Sequence, residues 1–378
     1  MRISMRFPLL VMALYVAPVA ALGQGTAPAS QDPPARLARE AAIDQAVARE
    51  MQRQELVGVA IGVIQDGQIA YLKGYGLADR ESGKRVTDQT VFNWASNSKP
   101  MAAVLAMQLV EQGKLDLDKD IRDYVPEFPK TPQVITARRL LCHQSGIPHY
   151  ANGRVISSPG PAAKPGTVPD PVTSLHRFDR SPLLFDPGAK YSYSSYAYVL
   201  LSAVVERAGG QPFDTQLRER IAKPAQLESL QLDEDSRGHD DWAKGYTKTR
   251  TNRIVPAPEE AHAWKLGAGG YKSNIKDFAR WAKGLIDHKF VSQASEQRMW
   301  TRQRLNSGDE TTMGLGFMLE SDETLGPNVS HGGSQQETKT VMMIFPSRGI
   351  GVVVMCNCNY ADASAVASAV LKALEPAE

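Results

Sequence analysis

Cysteine is scarce in this chain: Cys142, Cys356 and Cys358 are the only three in 378 residues. An odd count of three gives no disulfide framework. Cys356 and Cys358 fall in Gly351–Cys358, a run that reads as a strand and sets residues two apart at about 7 Å, too far for an easy bridge. All three read as small buried residues, and Cys-X-Cys has no further metal ligands nearby. Charge imbalance is also missing. A formal net charge of +2 gives no reason to expect a nucleic-acid or anionic-surface partner. The other histidines show no metal-type spacing. The chain has no His-Glu-X-X-His, no Gly-X-Ser-X-Gly elbow and no phosphate loop, which argues against a zinc hydrolase, an elbow-type serine hydrolase and a nucleotide enzyme. No cofactor is implied, and no internal repeat is visible.

Long apolar runs are missing too, except at the start. Met1–Arg6 is basic, Phe7–Leu22 is apolar, and Ala21-Leu22-Gly23 offers small residues for cleavage before Gln24. This predicts a signal peptide over 1–23 and a periplasmic or secreted protein with no stable membrane span after cleavage. Residues 24–36, rich in Ala, Pro, Ser and Gln, predict a disordered linker. The rest, 37–378, reads as one domain.

Within that domain, 37–55 has helical spacing. Val57–Ile64 and Gln68–Tyr75 flank Asp66-Gly67, a tight hairpin signal. Short helices are expected at 136–142, 199–208 and 213–221, and a longer one at 275–286. Strands are expected at 314–319, 338–345 and 350–355, with a closing helix at 362–374. Strands at both ends and helices between them predict an α+β fold. One antiparallel sheet is built from about 37–100 and 265–378, with a mostly helical insert over about 101–264. The segment 150–172, rich in Pro and Gly, predicts a long surface loop.

Three polar stretches carry candidate chemistry. Ser96-Asn97-Ser98-Lys99 precedes an apolar helix with Pro100 in its first turn. Ser96 would feel the positive end of the helix, and Lys99, three residues on, would share its face. A desolvated lysine beside a serine makes that serine nucleophilic. A plain helix cap is the structural alternative, and Ser273-Asn274-Ile275-Lys276 shows the same spacing in a stretch that reads as such a cap. Tyr193-Ser194-Ser195 follows the turn at Pro187-Gly188. Tyr193 could move protons, or simply pack. His331-Gly332-Gly333-Ser334 precedes a strand. The glycines allow close backbone approach, and His331 could orient a substrate or serve only as a turn residue.

Taken in order, Ser-X-X-Lys, Tyr-X-Ser and His-Gly-Gly resemble the serine β-lactamase and penicillin-binding-protein superfamily, in its class C-like branch. Leu140–Gly146, Tyr198–Leu201 and Gly269-Gly270 add to the resemblance, which covers about residues 45–372. It implies a β-lactamase/transpeptidase-like fold and an acyl-enzyme on Ser96, with Lys99 as proton acceptor and Tyr193 as proton relay. It also implies an oxyanion hole from the backbone N–H groups of Ser96 and Ser334. Substrate contacts would come from Ser195, His331, Gly332, Gly333 and Glu337.

The chain departs from that pattern in three places. Ser195 stands where an Asn is usual, His331 where a Lys is usual, and Glu337 where a Gly is common. A neutral His and an added carboxylate both disfavour anionic substrates. The expected function is therefore hydrolysis of small-molecule esters, peptides or cell-wall-derived amides lacking a recognised carboxylate, with poor β-lactam turnover. A penicillin-binding D,D-carboxypeptidase and a catalytically weak binding or self-assembling scaffold are the alternatives. The sequence leaves the oligomeric state open.

Overall fold

The computed structural model describes residues 33–160, 168–233 and 240–374. The predicted signal peptide lies outside the described residues, as does most of the predicted linker. The linker reading fails at its end, because helix α1 (Pro33–Gln54) already includes residues 33–36. Proline is tolerated in the first helical turn, where its missing N–H has no partner to lose.

The sequence forms a seven-stranded antiparallel sheet from its two ends. The strands are β1 (Gly58–Gln65), β2 (Gln68–Asp79), β3 (Lys84–Arg85), β4 (Met318–Asp322), β5 (Gly326–Gln335), β6 (Thr338–Phe345) and β7 (Ile350–Cys356), in the order β3-β2-β1-β7-β6-β5-β4. Asp66 (φ 52°) and Gly67 (φ 70°) both take the left-handed backbone that a two-residue hairpin needs, which fixes the β1–β2 register. Alternation then assigns the faces. Val59, Ile61 and Val63 pack with Ile43 and Val47 of α1 and with Val366 and Val370 of α5 (Ala363–Leu374). Ala60 and Ile64 point the other way, into the core shared with the helices.

The fold is thus α+β, with the sheet flanked by helices and a mostly helical region between its two halves. That region contains α2 (Ser98–Glu111) and α3 (Ser195–Gly209), and α4 (Ile275–Ile286) closes the inner face of the sheet. A small second sheet, Val91–Asn93 and Gln231–Leu232 around Tyr271–Asn274, lies under the start of α2.

Several boundaries differ from the sequence reading, each for a local reason. Residues 314–317 are not strand, and pairing begins at Met318. Helix α3 starts at Ser195 rather than at 199, because the Ser194 side chain caps it by accepting from the Ala197 N–H. The cap of α4 is Asn274, not Ser273: Asn274 Oδ1 accepts from the Asp277 N–H. The 213–221 helix is α-helical only over Phe213–Leu217, and a wider turn follows over Arg218–Ala222. His331-Gly332-Gly333 lies inside β5 rather than ahead of a strand. All three cysteines are buried and free.

Candidate active site

The turn carrying Ser96 is held from both sides. Trp94 is fully buried, packs its ring at a tilt against Phe278 with centroids 4.7 Å apart, and donates from Nε1 to Ser273 Oγ at 2.7 Å. Its backbone N–H donates to Tyr271 O at 2.9 Å. On the other side Asn97 Nδ2 donates to Thr340 Oγ1 at 2.8 Å, and that hydroxyl donates to Trp94 O at 2.9 Å. Between these clamps Ala95 takes φ 49°, a conformation unfavourable for a residue with a Cβ. A short 3₁₀ turn, Ala95–Asn97, then leads into α2. Ser96 sits just before the helix, and Lys99 lies in its first turn.

Lys99 is fully buried. Its Nζ donates to Ser96 Oγ at 3.0 Å, to Ser195 Oγ at 3.1 Å and to Ala268 O at 2.6 Å. None of these partners carries a charge. Burial therefore holds the ammonium well below its usual value, and the cation of Lys265 pushes it further. Burial pushes the Tyr193 phenol up, and the nearby Ser96 and Ser195 side chains oppose that shift. The Lys99 ammonium stands 5.0 Å from the centroid of the Tyr193 ring. The structure thus brings together Ser96, Lys99, Tyr193 and Ser195.

Two histidines support this cluster, and neither carried a local signal in the sequence. His143 is fully buried, stacks on Tyr193 at 4.2 Å between centroids, and accepts on Nδ1 from the Ser194 N–H at 3.2 Å. His149 meets Tyr193 edge-on at 5.5 Å and accepts on Nδ1 from the Ser195 N–H at 3.1 Å. Burial keeps both imidazoles neutral near pH 7, with His149 down to about 4. They hold the Tyr193–Ser195 segment between two rings.

Strand β5 forms the facing wall. Strand β4 pairs with it only as far as Ser330, so the 331–335 stretch has a strand partner on one side, β6. His331 is buried, with Nδ1 at 2.7 Å from Gly332 O, and burial followed by the Lys99 charge lowers its imidazole to about 3. The two glycines differ. A Cβ at Gly333 would meet Thr340 Oγ1 at 2.1 Å and Trp94 O at 2.5 Å, so this glycine is what lets β5 close on the Ser96 turn. A Cβ at Gly332 would meet only Thr340 O, at 4.0 Å. Close backbone approach, expected of both, is required only at Gly333. Ser334 follows it and lines the cleft.

Glu337 does not reach the cleft. Its Oε2 accepts from Asn93 Nδ2 at 2.9 Å and its Oε1 from the Glu260 N–H at 3.3 Å. It joins a polar cluster in which Asp233 pairs with Lys272 at 2.9 Å. The substrate-contact reading of Glu337, and the anion-repulsion argument built on it, are therefore corrected.

The sequence reading missed Lys265 altogether. It is 6 % exposed, yet it lines the cleft of about 870 Å³ that also exposes Ser96, His149, Tyr150, Tyr193, Ser195, His331 and Ser334. Burial lowers its ammonium to about 8, with Asp233 and Glu260 opposing the shift from a distance. Among the described residues no group of three or more His, Cys, Asp or Glu is placed to hold a metal ion. No described helix is long and apolar enough to cross a membrane.

Known proteins are similar to this chain. The mouse mitochondrial serine beta-lactamase-like protein LACTB is 24 % identical over an alignment covering 79 % of this chain and 74 % of LACTB. Protein flp of Staphylococcus aureus is 23 % identical, covering 84 % of this chain but only 63 % of flp. The solved structure of EstCE1, a hydrolase with promiscuous acyltransferase activity, superposes with a TM-score of 0.75 at 20 % identity, covering 89 % of this chain and 99 % of EstCE1. The Beta-lactamase family matches residues 43–375. The chain belongs to the beta-lactamase family, within the β-lactamase/penicillin-binding-protein superfamily of serine hydrolases.

Proposed function

We propose that this protein is a serine hydrolase that cleaves small carboxylic esters or amides through an acyl-enzyme on Ser96. One observation carries the reading: Lys99 is fully buried with no carboxylate partner among the described residues, 3.0 Å from Ser96 Oγ. A buried amine with a lowered pKa is a competent base, whereas a phenol with a raised one is not. The direction of the two shifts assigns the roles. Neutral Lys99 takes the Ser96 proton as Oγ attacks the carbonyl carbon. Tyr193, in its protonated form, passes a proton to the leaving oxygen or nitrogen and is reprotonated through Ser195 and Lys99. The backbone N–H groups of Ser96 and Ser334 receive the oxyanion, each worth about 3 kcal/mol in the transition state. Water then enters along the path of the departed group and loses its proton to Lys99 by the same relay; as the acyl C–O bond breaks, Lys99 returns that proton to Ser96 Oγ and the acid is released. The description of EstCE1 as a hydrolase with promiscuous acyltransferase activity is consistent with such an intermediate.

The test is intact-mass spectrometry after exposure to a fluorophosphonate. One adduct on the native chain, lost in Ser96→Ala and in Lys99→Met, is the expected result. No adduct on the folded native protein would defeat the reading and leave the binding or scaffold alternative. We also propose that the protein is exported, with cleavage before Gln24. N-terminal sequencing of the protein recovered from a secreting host checks this, and an intact Met1 in the cell body would refute it.

A further inference from the structure

We infer that Lys265 recognises an anionic group in the cleft, so that the esters or amides this site turns over best carry a carboxylate on the portion lying against Tyr150. This rests on the acyl-transfer reading above and reverses the substrate charge expected from the sequence.

The argument begins with what Lys265 lacks. It is 6 % exposed, and among the described residues no carboxylate lies within ion-pair distance of its Nζ. The two acidic residues that act on it are engaged elsewhere. Asp233 is held by Lys272 at 2.9 Å, and Glu260 accepts from Gln336 Nε2 at 3.0 Å. The ammonium faces two aromatic rings, with the centroid of Tyr150 at 5.2 Å and that of Trp264 at 5.5 Å. Ring faces stabilise a cation only in part and use none of its three N–H donors. A lysine whose stem is buried and whose tip opens on the cleft without a counter-ion is poorly compensated, and a ligand carboxylate would complete the pair.

The backbone adds a second observation. Leu266, next to Lys265, takes φ 39° and ψ −117°, a conformation that L residues rarely adopt. This kink sits between Lys265 and Ala268, whose carbonyl accepts from Lys99. Local strain of this kind persists where the surrounding structure demands it. Here it presents Lys265 to the cleft on the same short segment that anchors the Lys99 amine. A second lysine, Lys339, also lines the cleft, across from Ser334 on the sheet.

The experiment compares p-nitrophenyl butyrate with mono-p-nitrophenyl glutarate, two esters of similar size that differ by a terminal carboxylate. The native protein, Lys265→Met, Lys265→Arg, Lys265→Glu and Lys339→Met are compared by the ratio of kcat/KM for the anionic ester to that for the neutral one. The ratio cancels any effect of Lys265 on the basicity of Lys99. It is expected to fall at least tenfold in Lys265→Met, mainly through KM, and further in Lys265→Glu. Lys265→Arg should restore most of it. A change under threefold in Lys265→Met, or a loss confined to Lys339→Met, overturns the inference while leaving acyl transfer intact. If neither ester is turned over and no fluorophosphonate adduct forms, the acyl-transfer reading fails. The lysine is then judged by calorimetric binding of glutarate monoanilide to Ser96→Ala with and without Lys265→Met. Binding at least tenfold weaker without the lysine upholds the anion site, and equal binding removes it.

Discussion

Adding one methyl group at Gly333 should cost far more than adding it at Gly332, although the two glycines are neighbours on one strand. At Gly333 the new carbon would stand 2.5 Å from the Trp94 carbonyl oxygen and 2.1 Å from Thr340 Oγ1. An ordinary contact of this kind is about 3.3–3.6 Å, so one side must retreat by about 1 Å. Thr340 Oγ1 cannot easily turn away, because it accepts from Asn97 and donates to Trp94 O. The strand is therefore the part that moves, and it carries the Ser334 N–H with it. A hydrogen bond lengthened by about 1 Å from 2.9 Å is lost. Losing one oxyanion donor costs about 3 kcal/mol, roughly a hundredfold in kcat. The overpacked turn should also lose about 1–3 kcal/mol of stability. At Gly332 the methyl group meets nothing closer than 4.0 Å, so neither penalty applies. The assay is steady-state hydrolysis of p-nitrophenyl acetate, with urea unfolding of both variants in parallel. Gly333→Ala should lose at least tenfold more kcat than Gly332→Ala. Equal losses, or full kcat in Gly333→Ala, would refute the assignment of β5 as the oxyanion wall.

Other outcomes follow from the same geometry. Because the Lys99 ammonium is held well below its usual value, kcat/KM for a neutral ester should rise with pH through an inflection far below 10.5. Lys265→Met, which removes a repelling cation, should move that inflection upward. Ser195→Ala deletes one of the three acceptors of Lys99 and breaks the relay to Tyr193; about a tenfold loss of kcat is expected, checked by steady-state kinetics. His143, His262 and His331 are buried with lowered imidazole pKa values. The unfolded chain therefore takes up protons below about pH 6.5 that the folded chain refuses. Stability should fall as pH drops through that window, by about 1.4 kcal/mol per pH unit for each such histidine. Urea unfolding at pH 7.5, 6.0 and 5.0 checks the slope, which His262→Gln should make shallower.

Much of this molecule was legible in the amino-acid order because local rules decide it. Alternating β-branched residues around Asp66-Gly67 specify the first hairpin. The apolar runs within 338–345 and 350–355 mark strands. Ser96 and Lys99 are close in sequence, so one helical turn brings them together. What escaped depends on distant parts of the chain. Lys265 sits in a glycine-rich stretch with no local pattern, and the Tyr150 ring it faces lies 115 residues earlier in the numbering. His143 and His149 act through ring contacts with Tyr193, one tilted and one edge-on, and no spacing rule announces that. Glu337 was placed correctly in a turn, but a turn does not say which way its side chain leaves. Asn93 and the Glu260 N–H, both remote in sequence, decide that direction.

The pairing of β1 with β7 has a kinetic consequence. Val59 lies opposite Cys356, so the first strand must wait for nearly the whole chain before its central partner exists. A ribosome or export channel releasing the chain from its N-terminus frees β1 and β2 as a hairpin with one edge unpaired, and the helices follow before that edge can be covered. Closing so long a loop is slow, and the open edge is a site for wrong pairing in the interval. Refolding from urea should accordingly show early helix signal and late burial of the sheet. Removal of β7 and α5 should give chains that aggregate rather than a smaller folded enzyme.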